Sequence, residues 1–298
     1  MKQVIHYTHC PVCGSSRLHE VLRAKDHTVS GETFPIAECS DCTLRFTQDV
    51  PDAASIAPYY QSDNYISHSD TEKGIVNRIY HLVRKATLTR KRKLVQQTTG
   101  LATGKLLEVG SGTGAFLREM KSQGWETTGL EPDAGARQIA KELHGLTLQE
   151  TGLLYSLPPG SFDAITLWHV LEHVHDLSQY IEQLKMVLKP AGRLIVAVPN
   201  YTAADEKFYK EFWAAYDVPR HLYHFSPRSV QVLMERHGLK ILAHRPMWFD
   251  SFYIAMLSSR YRTGRTSWLA SFWNGLRSNG KALGDATRCS SVIYIIGK

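Results

Sequence analysis

The alternation of apolar and polar residues divides the first hundred positions into three stretches. Residues 1–50 hold short β-prone runs separated by turn residues, which predicts a small ribbon-like module. Residues 51–73 are rich in Pro, Ser, Asp and Tyr, which indicates a connector. Over residues 74–97 the apolar positions recur at helical spacing and predict an amphipathic helix with a basic surface. We therefore treat residues 51–100 as a connector followed by a basic helix.

Beyond residue 100, short apolar runs alternate with helical periodicity, and glycine turns lie between them. This order predicts an α/β domain over residues 101–298, built on a doubly wound sheet. The last predicted strand is preceded by a long insertion, about residues 248–289. The seven candidate strands are 105–109, 127–130, 147–149, 164–168, 193–198, 239–244 and 291–296.

Four of the five cysteines form two C-x-x-C pairs, Cys10 with Cys13 and Cys39 with Cys42, and 25 residues separate the pairs. In a reducing compartment, pairs beside turn residues favour a metal over disulfides. Four thiolates complete a tetrahedral Zn²⁺ site without an open position, so we expect a structural zinc. The fifth cysteine, Cys289, lies in an apolar stretch and is predicted to be a buried, inert thiol.

The formal charge of +7 is compatible with an anionic substrate, a nucleic acid or a membrane surface, and it selects none of them. The basic run Arg90 to Lys93 either contacts phosphates or forms a solvated helix face, which is the simpler interpretation. The first residues contain no apolar stretch of signal-peptide length, and no run approaches the roughly 18 apolar residues that cross a bilayer. We therefore expect a cytoplasmic protein.

The segment LLEVGSGTG places a glycine-rich turn between a predicted strand and a predicted helix. Glycines allow a ligand to approach the backbone amides at the helix start, although this pattern also satisfies the dinucleotide motif. Glu108, two residues before the turn, would repel a pyrophosphate and attract a cationic amino group or sulfonium. Glu131 ends the next strand, where a carboxylate can accept both ribose hydroxyls.

Four segments, LLEVGSGTG, GLEPD, SFDAITLWHVLEHV and LKPAGRLIVAVPN, occur in the order and spacing of the class I S-adenosylmethionine-dependent methyltransferases, which this chain resembles. The resemblance covers roughly residues 100–245 and implies methyltransferase activity and a seven-stranded Rossmann-like sheet. Leu153 stands where the family often has an acid for the adenine amine. The implied cofactor residues are Glu108, Gly110, Gly112, Gly114, Glu131, Pro132, Leu153 and Trp168.

Substrates of open α/β sheets bind beyond the carboxyl ends of the strands, which directs attention to the residues after strands four and five. Histidines there can remove a proton from a hydroxyl acceptor, or they can simply bond neighbouring loops. The spacing His169-x-x-Glu172-His173 resembles the E-x-x-E-H metal motif of ubiquinone-pathway O-methyltransferases and small-RNA 3′-end methyltransferases, with histidine replacing the first acid. The sequence therefore leaves open whether a divalent metal takes part in catalysis. The candidate catalytic residues are His169, Glu172, His173, His221 and His224, with Arg220 and Tyr223 available to orient the substrate.

The insertion combines many aromatic side chains with arginines. We weigh three interpretations: packing on the domain or a second subunit, a lid or membrane-contacting surface over residues 248–277, and stacking of RNA bases. A small zinc module precedes the catalytic domain in both sugar and ribosomal RNA methyltransferases. We expect O-methylation of a small or lipid-linked metabolite such as a sugar or phenol, with an RNA methyltransferase as the alternative. Five apolar residues share one predicted helical face: Trp268, Leu269, Phe272, Trp273 and Leu276.

Overall fold

The structure is a computed structural model that describes residues 3–61 and 75–298. Its helices are Ile75–Thr99 (α1), Ala115–Ser122 (α2), Ala134–His144 (α3), Leu177–Val187 (α4), Ala204–Tyr209 (α5), Pro227–Arg236 (α6), Asp250–Thr263 (α7) and Trp268–Ala282 (α8). Its strands are Val4–Ile5 (β1), Leu18–Lys25 (β2), Thr33–Cys39 (β3), Arg45–Thr47 (β4), Val50–Pro51 (β5), Lys105–Val109 (β6), Glu126–Leu130 (β7), Phe162–Trp168 (β8), Leu188–Pro199 (β9), Tyr223–His224 (β10), Lys240–Pro246 (β11) and Ser291–Gly297 (β12).

The predicted doubly wound sheet is confirmed, in the strand order β11-β12-β9-β8-β6-β7. Strand β6 pairs in parallel with β7 on one side and with β8 on the other. The predicted strand 147–149 contributes only a single bridge, between Leu130 and Gln149. Helix α3 ends at the left-handed Gly145, and a 3-10 helix starts at Thr151, so too few residues lie between them for a longer ladder. The sheet therefore has six strands instead of seven.

Contacts between Cα atoms divide the chain into two compact units. One unit contains residues 66–168, 182–196 and 295–298, and it carries the glycine-rich turn. The other contains residues 1–65, 169–181 and 197–294, and it carries the cysteine pairs, the histidines and the insertion. Each candidate site can therefore be described within one unit.

The N-terminal cysteine module does not form its sheet alone. Strands β2, β3 and β4 pair antiparallel, and β10, from the loop after β9, adds a fourth strand beside β4. Tyr223 pairs with Phe46 and His224 with Arg45, so two residues of the histidine loop complete the module's sheet. The sequence did not predict this pairing, because a two-residue strand has no periodicity to read.

A fully buried arginine links the same two segments. Arg220 donates to Asp26, at the end of β2, at 3.0 Å and to both carboxylate oxygens of Asp217 at 3.0 and 2.7 Å. Its third partner is the carbonyl of Tyr59, at 2.8 Å. Because an arginine stays protonated even when it is buried, its charge requires hydrogen-bonding partners in the core, and the two carboxylates and the carbonyl supply them.

The insertion forms two packed helices, α7 and α8, in agreement with the predicted helical insertion before the last strand. Cys289 follows it and is fully buried, as predicted, and burial raises the pKa of its thiol. Within the part of the chain that the structure describes, no helix has both the length and the apolar character needed to span a bilayer.

Candidate active site

The glycine-rich turn brings the backbone close to the carboxylate of Glu131. Gly110, Gly112 and Gly114 have φ angles of 71°, 52° and 77°, a left-handed region that favours glycine. The Gly112 amide donates to Glu131 Oε2 at 2.8 Å, and the Asp133 amide donates to Oε1 at 3.0 Å. Each carboxylate oxygen keeps a further lone pair, so the Glu131 side chain is held in place and can still accept hydroxyl groups.

Glu108 is the penultimate residue of β6, and one of its carboxylate oxygens is buried without a hydrogen-bond partner in the part of the chain that the structure describes. Among the described residues, its Oε2 has no hydrogen-bond partner, and neither has the nearby indole Nε1 of Trp168. Burial raises the pKa of Glu108 to about 8, with Glu131 adding to the rise and the charge of Lys91 opposing it. An arriving ammonium group would satisfy Oε2 and favour the ionised form. The orphaned oxygen of Glu108 therefore fits the amino group of the expected S-adenosylmethionine, whereas the indole N–H of Trp168 can only donate.

The basic helix contributes to the same surroundings. Lys91 Nζ lies 4.2 Å from the centroid of the Trp168 ring, and Arg92 pairs with Glu119 at 2.8 Å. Both basic side chains are half-buried, while Arg90 and Lys93 are exposed. The interpretation of this run as a solvated face is therefore wrong for Lys91 and Arg92, because each has an aromatic or anionic partner within its own unit.

Two further expected cofactor residues line the open side of this region. Pro132 is exposed after β7, and Leu153 is 37% exposed in the 3-10 helix Thr151–Ser156. Apolar surfaces of this kind can flank a flat base. The residues present therefore suit the cofactor.

The four N-terminal cysteines converge on one point. The Sγ atoms of Cys10 and Cys42 lie 3.4 Å apart, as do those of Cys13 and Cys39, and all four lie within 4.8 Å of one another. A tetrahedron with Zn–S bonds of about 2.3 Å has edges of about 3.8 Å. The cluster therefore fits a tetrahedral zinc site, as the two C-x-x-C pairs predicted.

His169 lies between two carboxylates. Its Nδ1 is 3.2 Å from Glu172 Oε1, and its Nε2 is 2.7 Å from Asp250 Oδ2, at the start of α7. Burial alone would lower the pKa of His169, but Asp250 and Glu172 outweigh it and raise the value to about 10. The imidazole is therefore a cation at neutral pH with both nitrogens engaged, and it has no lone pair with which to accept a proton.

Two other histidines each direct Nδ1 towards a backbone carbonyl. His221 Nδ1 lies 2.8 Å from the carbonyl of Ala215, and His173 Nδ1 lies 3.0 Å from the carbonyl of Arg220. Because a carbonyl only accepts, both Nδ1 atoms carry a proton, which leaves Nε2 as the ring nitrogen that can accept one; Nε2 of His221 lies 4.0 Å from Asp217 Oδ2. Burial and the neighbouring His221 lower the pKa of His173 to about 4, so its ring is neutral at physiological pH.

Glu172 supplies a carboxylate beside these two rings. It is fully buried, and its Oε2 has no hydrogen-bond partner among the described residues. Burial acts to raise its pKa, but the hydrogen bond and charge of His169 prevail and lower it. One ligand atom each from Glu172, His173 and His221 lies within 4.8 Å of the others. Two imidazoles and an orphaned carboxylate fit a divalent cation.

The remaining candidates in the loop face the protein interior. His224 is 2% exposed, and its Nε2 donates to Thr47 Oγ1 at 3.1 Å, while Thr47 in turn donates to the carbonyl of His221. Tyr223 is equally buried and donates to the carbonyl of His175. These contacts position the loop backbone.

A cavity of about 640 Å³ opens beside His169 and His221. This volume is typical of sites for small organic ligands, which range over roughly 300–1,000 Å³. Helix α7 supplies its apolar side through Ile254, Leu257 and Tyr261. The β2–β3 hairpin supplies His27, whose ring stacks on Tyr261 with centroids 4.4 Å apart. The cavity is also lined by Thr28, Pro199, Ala214, Ala215, Asp217, Asp250, Tyr253, Arg260 and Gly264.

Several residues around these sites were missed from the sequence. Asp250, His27 and Thr28 lie far from the histidine loop in sequence and carry no motif. Lys91 was visible only as one member of a basic run. Nothing in the sequence indicated that the carboxylate of Asp250 would bind His169.

Residues 81–244 match the family described as a methyltransferase domain. The ubiquinone biosynthesis O-methyltransferase of Pectobacterium carotovorum is 32% identical over 116 residues, which are 36% of this chain and 48% of that protein. The demethylmenaquinone methyltransferase of Tropheryma whipplei is 29% identical over 134 residues, 43% of this chain and 56% of that protein. The chain thus spans about half the length of the curated relatives it matches.

A solved structure supports the fold over a longer span. The 1,6-didemethyltoxoflavin-N1-methyltransferase of Burkholderia thailandensis aligns with a TM-score of 0.51, covering 92% of this chain and 99% of that chain. The sequence identity is 13%, so this likeness concerns the fold alone.

We expect His169 to stay protonated through neutral pH. Because its pKa is raised from about 6.5 to about 10, its pairing stabilises the fold fully below pH 6.5, and this contribution declines as the pH rises towards 10. NMR titration of the imidazole should show no midpoint between about pH 5.5 and 8.5. Asp250→Asn should lower the midpoint, whereas Asp285→Asn, at an exposed carboxylate, should not. A wild-type midpoint near 6.5 would contradict the assignment.

Proposed function

The chain belongs to the family of methyltransferase domains, and from this premise we propose that it transfers the methyl group of S-adenosylmethionine to a hydroxyl oxygen of a small or lipid-linked metabolite. The observation that carries this proposal is the cavity beside His221, which has the volume of a small-molecule site and a histidine lone pair at its wall. A sugar or phenol hydroxyl suits both features. The curated relatives named for ubiquinone and demethylmenaquinone methylation also support a small-molecule acceptor.

The cofactor, when bound, supplies an electrophilic methyl group on a sulfonium. Glu108 would hold its amino group and Glu131 its ribose hydroxyls, and the glycine-rich turn would lie against its methionine part. The ammonium of Lys91, beside Trp168, suits the methionine carboxylate. Pro132 and Leu153 would flank the adenine.

His221 is the residue we assign as general base. Its Nδ1 proton is held by the Ala215 carbonyl, so the Nε2 lone pair can take the proton of a hydroxyl as the oxygen attacks the methyl group. His169 is not suited to this task, because it is already a cation. We assign His169 to positioning, since it fixes the carboxylates of Glu172 and Asp250.

A second mechanism is favoured by the orphaned oxygen of Glu172. Glu172, His173 and His221 would hold a divalent cation, which would lower the pKa of a hydroxyl acceptor. The motif His169-x-x-Glu172-His173 then contributes two of the three ligands, and His221 replaces the first position. Both mechanisms need His221, but only the cation mechanism also needs His173.

The RNA alternative receives less support from the structure. Of the four basic residues that were to grip phosphates, Lys91 and Arg92 are engaged by Trp168 and Glu119. The cavity also has the volume of a small-ligand site.

The cysteine module would carry a structural zinc and, through its hairpin, part of the acceptor site. His27 and Thr28 lie on this hairpin and line the cavity. A cytoplasmic location and a membrane contact through residues 248–277 both stay predictions.

Glu131→Ala should weaken the binding of S-adenosylmethionine by about 1.5–3 kcal/mol, because charge-assisted hydrogen bonds to the ribose are lost. Calorimetry measures this directly. Glu126→Ala, at an exposed carboxylate on the same strand, is the control and should leave the affinity unchanged. Unchanged affinity in Glu131→Ala, or tight binding of NAD by the wild type, would contradict the cofactor assignment.

His221→Ala should reduce methyl transfer by about 10²-fold or more while leaving cofactor affinity intact. Transfer is measured with labelled cofactor in a cell extract, followed by extraction with organic solvent or treatment with nuclease. His19→Ala, at an exposed histidine, is the control. The cation mechanism would be favoured if His173→Asn lost as much transfer activity as His221→Ala. It would also require that Mn²⁺ restore the activity of enzyme treated with a chelator. Label that only nuclease removes would overturn the small-molecule proposal.

The module should contain one zinc per chain in protein purified without added metal. Cys39→Ser should lose the zinc and unfold the four-stranded sheet, because binding and folding are coupled. Cofactor affinity should persist, since the cofactor residues belong to the other unit. Cys289→Ser is the matched control and should retain the zinc. Mass spectrometry measures the number of zinc ions bound per chain. A value near zero, with four free thiols, would refute the site.

A further inference from the structure

Helix α8 presents its apolar side to the exterior. Five side chains are 39–78% exposed and define what we call the α8 face: Trp268, Leu269, Phe272, Trp273 and Leu276. At 100° per residue they occupy one continuous side of the helix. Five large apolar side chains exposed side by side are unusual in a soluble protein, and such a patch marks an interaction site.

The inward side of α8 fixes this orientation. Ser278 bonds Asp205 at 3.1 Å, and Asn279 donates to the carbonyl of Trp248 at 2.9 Å. A Cβ added at Gly275 would lie 2.5 Å from the ring of Phe252, so the two helices approach closely only because this position has no side chain. The small and polar side of α8 is therefore buried, and the α8 face cannot turn inward without breaking these contacts.

Charge distinguishes between the possible occupants of the face. Residues 251–284 contain four arginines and one lysine but no Asp or Glu. Arg265, Arg277 and Lys281 are exposed on or beside α8. In a symmetric pairing with a second copy, the same patch meets itself and these like charges oppose each other. An anionic lipid surface instead accepts both the tryptophans at its interface and the basic side chains at its head groups.

We propose that the α8 face docks the protein on an anionic lipid bilayer, with Trp268 and Trp273 in the interface and Arg277 and Lys281 against the lipid phosphates. Helix α8 packs on α7, and α7 lines the cavity with Ile254 and Leu257. Resting on the proposed function, this docking brings the acceptor cavity to a surface where lipid-linked acceptors reside. The docking itself requires neither cofactor nor acceptor.

Co-sedimentation of the full chain with vesicles tests the proposal. Vesicles of phosphatidylcholine containing one-third phosphatidylglycerol should bind the wild type, and pure phosphatidylcholine should bind it at least tenfold more weakly, since each basic residue near an anionic surface contributes roughly fivefold. Raising the salt concentration should weaken the binding.

Two double variants separate the apolar and the charged contributions. Trp268→Ser with Trp273→Ser should reduce binding about 100-fold, near tenfold for each interfacial ring. Its control is Val4→Ser with Leu143→Ser, two exposed apolar residues elsewhere. Arg277→Gln with Lys281→Gln should reduce binding only to anionic vesicles, and its control is Lys121→Gln with Lys141→Gln. All four variants alter exposed residues and should keep the wild-type melting temperature and cofactor affinity.

Equal binding of the tryptophan variant and the wild type would overturn the proposal, as would equal binding to neutral and anionic vesicles. Light scattering that shows a wild-type dimer, converted to a monomer by the tryptophan substitutions and without vesicle binding, would assign the face to a second copy and overturn it too. Because these measurements use vesicles alone, a failure to methylate any acceptor does not affect them. Conversely, lost vesicle binding with intact cofactor affinity would leave the methyltransferase proposal standing.

Discussion

The fully buried Arg220 determines how the N-terminal module relates to the histidines. Its guanidinium joins Asp26 of the β2–β3 hairpin to Asp217 of the loop that carries His221. Removing one partner of such a group would leave an uncompensated buried charge, which costs on the order of 3–5 kcal/mol. The hairpin and the loop therefore have to fold together. His27 and Thr28 follow Asp26 directly, so the same arginine sets where the module meets the cavity.

The sequence allowed the fold to be predicted wherever the signal was local. The strand and turn pattern around Gly110 and each of the two C-x-x-C pairs lie within a few residues; the structure has the strand and the turn, and it brings the four cysteines together. Contacts between distant residues could not be predicted in this way. The pairing of Tyr223 with Phe46 and the bond from Arg220 to Asp26 join positions more than 170 residues apart. No periodicity or motif indicates such a contact.

The histidines illustrate the same limit at the candidate site. The sequence identified four histidines as candidates, but the role of each depends on which neighbour each ring nitrogen contacts. His169 lies between two carboxylates and becomes a cation, whereas burial and the neighbouring His221 lower the pKa of His173 and keep it neutral. His224 is enclosed behind Thr47, which itself bonds the backbone of His221. Identical side chains thus acquire a charge, a free lone pair or a purely structural contact from their surroundings.

His169 also explains why the insertion belongs to the site. The residue adopts a φ of 58°, which is unfavourable for a side chain with a Cβ, and the carboxylates of Glu172 and Asp250 hold its ring from both sides. Asp250 is the first residue of α7, so the insertion supplies one of the two charges that keep His169 protonated. The body of the same helix lines the cavity, and α8 packs on its other residues. The histidine at position 169 is therefore held as a cation in part by a carboxylate that the insertion provides. The substitution in the motif and the insertion between the last two strands are two parts of one electrostatic arrangement.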